Sequence, residues 1–164
     1  MKKVKVLLAV MLVLMFAMFA LGSGEDTSED QGKGTVESGE SDTNIGDYTV
    51  EIQSCRLAKD YEGKGVVIVK YLYTNVANDD ATAFFTAFDE TVYQNGVGLN
   101  ESYFVDDSAN YSSDNQMKEI KKGASLEVEV AYELNDTTTD IEVEVKELFS
   151  FDNTTITKTF SITQ

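Results

Sequence analysis

One segment restricts the fold more than any other. Leu126, Val128, Val130, Tyr132 and Leu134 alternate with Glu127, Glu129, Ala131 and Glu133. A helix would scatter those apolar groups around its cylinder. An extended chain puts them on one face and the three carboxylates on the other. A half-buried antiparallel strand follows. The same period sets Ile141, Val143 and Val145 against Glu142, Glu144 and Lys146, and Tyr48, Val50 and Ile52 against Thr49, Glu51 and Gln53. Residues 66–73 are apolar except for Lys70, which marks a strand central in its sheet. Ile156, Phe160 and Ile162 mark a last strand. Lys158 falls in their phase and points to a sheet edge.

The breaks between these segments carry turn chemistry. Asn95-Gly96, between Thr91–Gln94 and Val97–Leu99, is a strong hairpin signal because a type I′ turn needs positive φ at both central residues. Other breaks fall at Gly63, Asn78-Asp79-Asp80, Gly123, Asn135-Asp136 and Asp152-Asn153. The spacing predicts an all-β domain, an immunoglobulin-like antiparallel β-sandwich of seven to eight strands. Residues 81–88 have room for one helical turn. Residues 100–116 hold few apolar groups, and a connection of that length is either mobile or functional. A binding surface is expected there first.

Ahead of this domain the chain changes character twice. Lys2, Lys3 and Lys5 precede an unbroken apolar run over residues 6–21, the pattern of a secretory signal, with Ala20 and Gly22 placed for cleavage before Ser23. Retained, the run would be a short membrane anchor. The sequence Ala20-Leu21-Gly22 also matches the end of a lipoprotein signal, but Ser23 stands where the lipidated Cys belongs, and a hydroxyl cannot form the thioether. Residues 23–46 are Gly, Ser, Thr and acids, seven carboxylates to one Lys, and are expected to form a disordered linker. The organisation is therefore signal peptide 1–22, acidic linker 23–46 and β-domain 47–164, on an exported, secreted or cell-surface protein.

Composition excludes several chemistries. The chain has no His, no Trp, no Pro and one Cys. Ser-His-Asp and Cys-His catalysis and His-based zinc sites are absent. Cys55 cannot form an internal disulfide, and it is expected as a small apolar group. The net charge is −16, or about −19 once the three leader lysines are set aside, which repels nucleic acid and anionic lipid. No nucleic-acid partner is expected, and membrane contact only through an uncleaved leader.

Paired carboxylates are the remaining catalytic motif. Asp89-Glu90 and Asp106-Asp107 could serve as an acid and a nucleophile, but adjacent strand residues point to opposite faces. Asp106, Ser108 and Asn110 begin like a calcium loop, which then fails at Tyr111 and Met117. A looser calcium site would draw on Asp106, Asp107 and Asp114. No catalytic residue and no cofactor is expected. An aromatic binding surface would use Phe84, Phe85, Tyr103, Phe104 and Tyr111, although most aromatics of a sandwich are core.

The residues 56–64 (RLAKDYEGK), 71–75 (YLYTN), 93–97 (YQNGV) and 118–126 running on to 131–134 (AYEL) together resemble the bacterial family named domain of unknown function 5067. It is akin to telokin-like domains of Gram-positive lipoproteins. That resemblance implies an immunoglobulin-like sandwich on an exported, usually lipidated protein, and no assigned activity. The expected role is a non-catalytic module binding an extracellular protein, peptide or envelope polymer. The alternatives are an envelope spacer without a specific ligand and an acidic-pair hydrolase.

Overall fold

The computed structural model describes residues 43–151 and 154–163. The signal segment 1–22 and linker residues 23–42 lie outside them. Among the described residues the chain runs β1 (Asn44–Ile45), β2 (Tyr48–Lys59), β3 (Gly65–Asn75), β4 (Thr82–Ala83), α1 (Phe84–Ala87), β5 (Phe88–Gln94), β6 (Val97–Gly98), β7 (Glu119–Ile120), β8 (Ser125–Glu133), β9 (Ile141–Glu147) and β10 (Thr155–Phe160). Two four-stranded antiparallel sheets form, ordered β1-β2-β3-β8 and β10-β9-β5-β6, with β4 paired to β7 beside them. The all-β antiparallel sandwich expected from the alternation is what the chain builds. The helical turn expected over residues 81–88 is α1.

The inward phase of every long strand meets in one core. Val67, Val69, Tyr71 and Tyr73 of β3 pack with Val50 and Ile52 of β2, Val128, Val130 and Tyr132 of β8, Val92 of β5, and Ile141, Val143 and Val145 of β9. Each fully buried side chain of this size contributes about 1.5–3 kcal/mol. An aromatic group closes one end. Tyr73 meets Phe88 edge to face at 5.3 Å, and Phe84 lies 5.2 Å from Phe88. The hairpin joining β5 and β6 has φ of 54° at Asn95 and 73° at Gly96, the positive pair that Asn-Gly was expected to supply.

Strand β3 is buried on both faces, which explains its near-continuous apolar run. Val66 and Ile68 point away from the main core and pack with Ala131 and Val105 in a second cluster. Val105 comes from the long connection between β6 and β7. That connection first lies along the free edge of β8, where Glu133 N–H donates to Asn100 O at 2.9 Å and Ser102 N–H to Ala131 O at 2.8 Å. It then crosses to the end of β2, where Tyr61 N–H donates to Phe104 O and Asp106 N–H to Lys59 O. It returns to β8 through Asn115 Nδ2 on Glu127 O and Gln116 Nε2 on Glu129 O. The segment expected to be mobile or functional is therefore a strap that covers an outer sheet face and guards a sheet edge.

The expected linker boundary needs correcting at its end. Residues 44 and 45 form β1, Val50 N–H donates to Thr43 O at 2.8 Å, and Ile45 is 2% exposed. Burying the Ile45 side chain offsets the entropy of ordering the two residues beside it. The ordered domain thus starts before Asp47.

One buried polar group ties the sandwich corner. Gln94 is 1% exposed. Its Nε2 donates to Asp136 O at 3.1 Å and Thr139 O at 2.9 Å, while Oε1 accepts from Asn135 and Asp136 N–H. Gln94→Leu keeps the volume but orphans four backbone groups. It should lower unfolding free energy by about 3 kcal/mol in urea titration. A loss under about 1 kcal/mol would show that water takes over those bonds.

Candidate functional site

The turn after β2 sets out the most exposed face of the strap. Asp60 Oδ1 accepts Glu62 N–H and Lys64 N–H, both at 2.8 Å, and this fixes a tight reversal. Tyr61 emerges from it 62% exposed, and its hydroxyl donates to Asp107 Oδ1 at 2.8 Å. Tyr103 and Phe104 on the strap are each 71% exposed. Beside Tyr61 lies an open cleft of about 640 Å³ lined by Arg56, Lys59, Tyr61, Asp106, Ser108 and Ala109. Arg56 is turned onto the outer sheet face, where it pairs with Glu129 and donates to Ala109 O at 3.3 Å. Three exposed aromatics are thus held on hydrogen-bonded backbone: Tyr61 lines the cleft, Phe104 is joined to it through the backbone, and Tyr103 turns its hydroxyl to Glu101.

The residues singled out from sequence separate into different places. Phe85 (46% exposed), Tyr103 and Phe104 do face solvent. Phe84 does not. It is fully buried against Tyr71 and Tyr73, because α1 turns neighbours about 100° apart and only one of the pair can face the core. Tyr111 is half-buried against Val66 and Ile68 and receives Gln116 Nε2 at 3.4 Å, so it belongs to the second cluster. Asp106 accepts Ser108 N–H at 2.9 Å, its pKa is lowered by the Ser108 hydroxyl and then by that N–H, and Asp107 holds Tyr61. Asp114 opens a 3₁₀ turn at 114–117. Among the described residues, no group of three or more Cys, Asp or Glu is arranged to hold a metal ion. Cys55 is half-buried against the main core, and burial raises its thiol pKa. Sequence inspection missed Tyr61, and also Phe149 and Phe151, which are 90% and 105% exposed just after β9.

The acids that meet are not the adjacent ones. Asp89 is exposed and Glu90 half-buried, on opposite faces of β5. Glu90 instead lies close to Glu101 at the start of the strap, near enough to feel its charge, and Glu101 accepts the Tyr103 hydroxyl. Behind them, the buried Tyr71 and Tyr132 hydroxyls lie 3.5 Å apart. Burial, then the Glu101 charge, raises the Glu90 pKa from 4.5 to about 8.

A raised carboxyl pKa makes the folded state bind the proton more tightly. The stabilisation is complete below pH 4.5 and is lost as pH rises through about 8. Glu90→Gln keeps the side-chain shape without the charge. It should stabilise the protein at pH 8 by on the order of 2 kcal/mol and flatten stability between pH 5 and 8 in thermal melts. An unchanged pH profile would show that water screens the pair.

Among the described residues no helix is long and apolar enough to cross a membrane. No curated protein matches the chain by sequence. A solved structure described as "a putative lipoprotein from Staphylococcus aureus" superposes with a TM-score of 0.54 at 19% identity, covering 75% of this chain and 94% of that one. At that identity the likeness shows a shared fold. A family described as domain of unknown function (DUF5067) matches residues 23–147, most of the chain and nearly all of its strands. The family that the sequence resembled is thereby established, and this chain belongs to DUF5067.

Proposed function

We propose that the protein is an exported, surface-held, immunoglobulin-like binding module without catalytic activity. Its partner is an extracellular protein, peptide or envelope polymer, met through the exposed rings of Tyr61, Tyr103 and Phe104. The observation that carries this reading is the exposure of those three rings on a backbone pinned at both edges of one sheet. Preorganised, exposed aromatics lose little conformational entropy on binding and are the residues that dominate interface energies. A spacer without a ligand has no use for them.

Strand order supports the immunoglobulin-like assignment. β2, β3 and β8 against β10, β9, β5 and β6 follow the order A-B-E against G-F-C-C′ of such sandwiches. Export is supported by the basic, then apolar, leader and by the description of the staphylococcal structure as a lipoprotein. Ser23 in place of Cys favours release or leader anchoring over lipid attachment.

The test compares the exported chain with its Tyr61→Ala/Tyr103→Ala/Phe104→Ala variant in capture from the native envelope. The variant should lose at least tenfold in affinity, and its melting temperature should move by less than about 4 °C, because exposed side chains contribute little to stability. A partner held equally by both proteins would remove the aromatic surface from the account. Capture by neither would favour the spacer.

A further inference from the structure

We propose that the outer edge of β2, from Ser54 to Ala58, is a strand-addition site for an extended, lysine- or arginine-bearing segment of a partner. The inference rests on the binding-module reading and names how a peptide partner would be held.

Strand β2 is an edge strand whose guards stop short of its middle. β1 covers only Tyr48 and Thr49, and Thr43 O takes the Val50 N–H. Lys158 Nζ donates to Ile52 O at 2.8 Å and Gln53 O at 3.1 Å. At the far end Lys59 O accepts Asp106 N–H. Between these stops, and among the described residues, Ser54 to Ala58 pair with β3 alone. The window is about 17 Å long at 3.4 Å per residue, enough for a five-residue strand.

The bulge between Ile52 and Ser54 shifts the phase of the strand. Backbone groups that point outward after it fall on Cys55 and Leu57, the same set as the outward Lys59 carbonyl. The side chains of Cys55 and Leu57 are partly buried on the core and give an incoming strand an apolar floor. The one charged side chain inside the window, Arg56, is held on the outer face by Glu129 and leaves the backbone open. The edge of β8 has no such opening, because the strap lies along it. The 640 Å³ cleft begins at Arg56 and follows the window to its end.

Charge selects the occupant. Asp60 and Asp106 line the cleft, and Asp107 lies next to it on the Tyr61 hydroxyl; of the cations there, Arg56 is paired with Glu129 and Lys64 with Glu62, which leaves Lys59 against three carboxylates on a chain of −16 overall. A cationic strand is drawn to this edge and an anionic one repelled. Backbone pairing supplies affinity and the alternate side chains supply selection.

The test uses three ten-residue probes: alternating Lys-Val, its twin with alternate backbone amides N-methylated, and alternating Glu-Val. Calorimetry measures affinity and amide exchange maps the contact on the unmodified exported protein. The Lys-Val probe should bind and slow exchange of the Cys55 and Leu57 amides at least tenfold, and the other two should bind at least tenfold more weakly. Equal binding by the N-methylated twin, or no protection across Ser54–Ala58, overturns strand addition. Concentration-dependent dimerisation that protects the same amides without peptide also overturns it, since the occupant is then a second copy. If the edge fails while envelope capture through the aromatic rings persists, the binding-module reading stands alone. If both fail, that reading goes as well.

Discussion

The outer face of β3 is the constraint from which the rest of the domain follows. Val67 and Val69 belong to the sandwich interior, while Val66 and Ile68, which alternate with them in sequence, look the other way and are just as fully buried. A sheet with both faces apolar needs a second cover. No helix supplies it. The connection from residue 99 to residue 118 does so with one valine, an alanine and a half-buried tyrosine, and with backbone bonds to the strands at both sides. A polar, glycine-free strap can do this because its hydrogen bonds, more than its apolar area, fix its course.

That same device places Tyr61, Phe104 and the cleft. The reversal at Asp60 and the crossing at Val105 set Tyr61 beside Phe104, and the cleft is the gap between β2 and the returning strap. Where the strap leaves β8 it brings Glu101 to Glu90, an arrangement that raises the Glu90 pKa and weakens the fold at neutral pH.

Strand positions were legible because two-residue periodicity has one physical cause, a buried face against a wet one. The sandwich, the Asn95-Gly96 hairpin, the turn at Phe84–Ala87 and the edge character of β10 all came from that pattern and from turn stereochemistry. The covering role of the strap was not legible because it rests on backbone bonds, which composition does not register. Phe84 and Tyr111 were misplaced for a related reason: a single helical turn and a chain crossing decide their burial, and neither has a period to detect. The Glu90–Glu101 pair was missed because its members are eleven residues apart in sequence and meet only through the strap. Ile45 looked like linker because two residues are too few to show alternation.

Native-state hydrogen exchange tests the central claim most directly, by comparing the strap and turn amides of Ser102, Asp106 and Tyr61 with the core amides of Val67 and Val69. If the strap is part of the fold, its amides open only with the whole domain, at a free energy within about 1 kcal/mol of the core. Strap amides that exchange at the rate of an open loop, while the core stays protected, would contradict it.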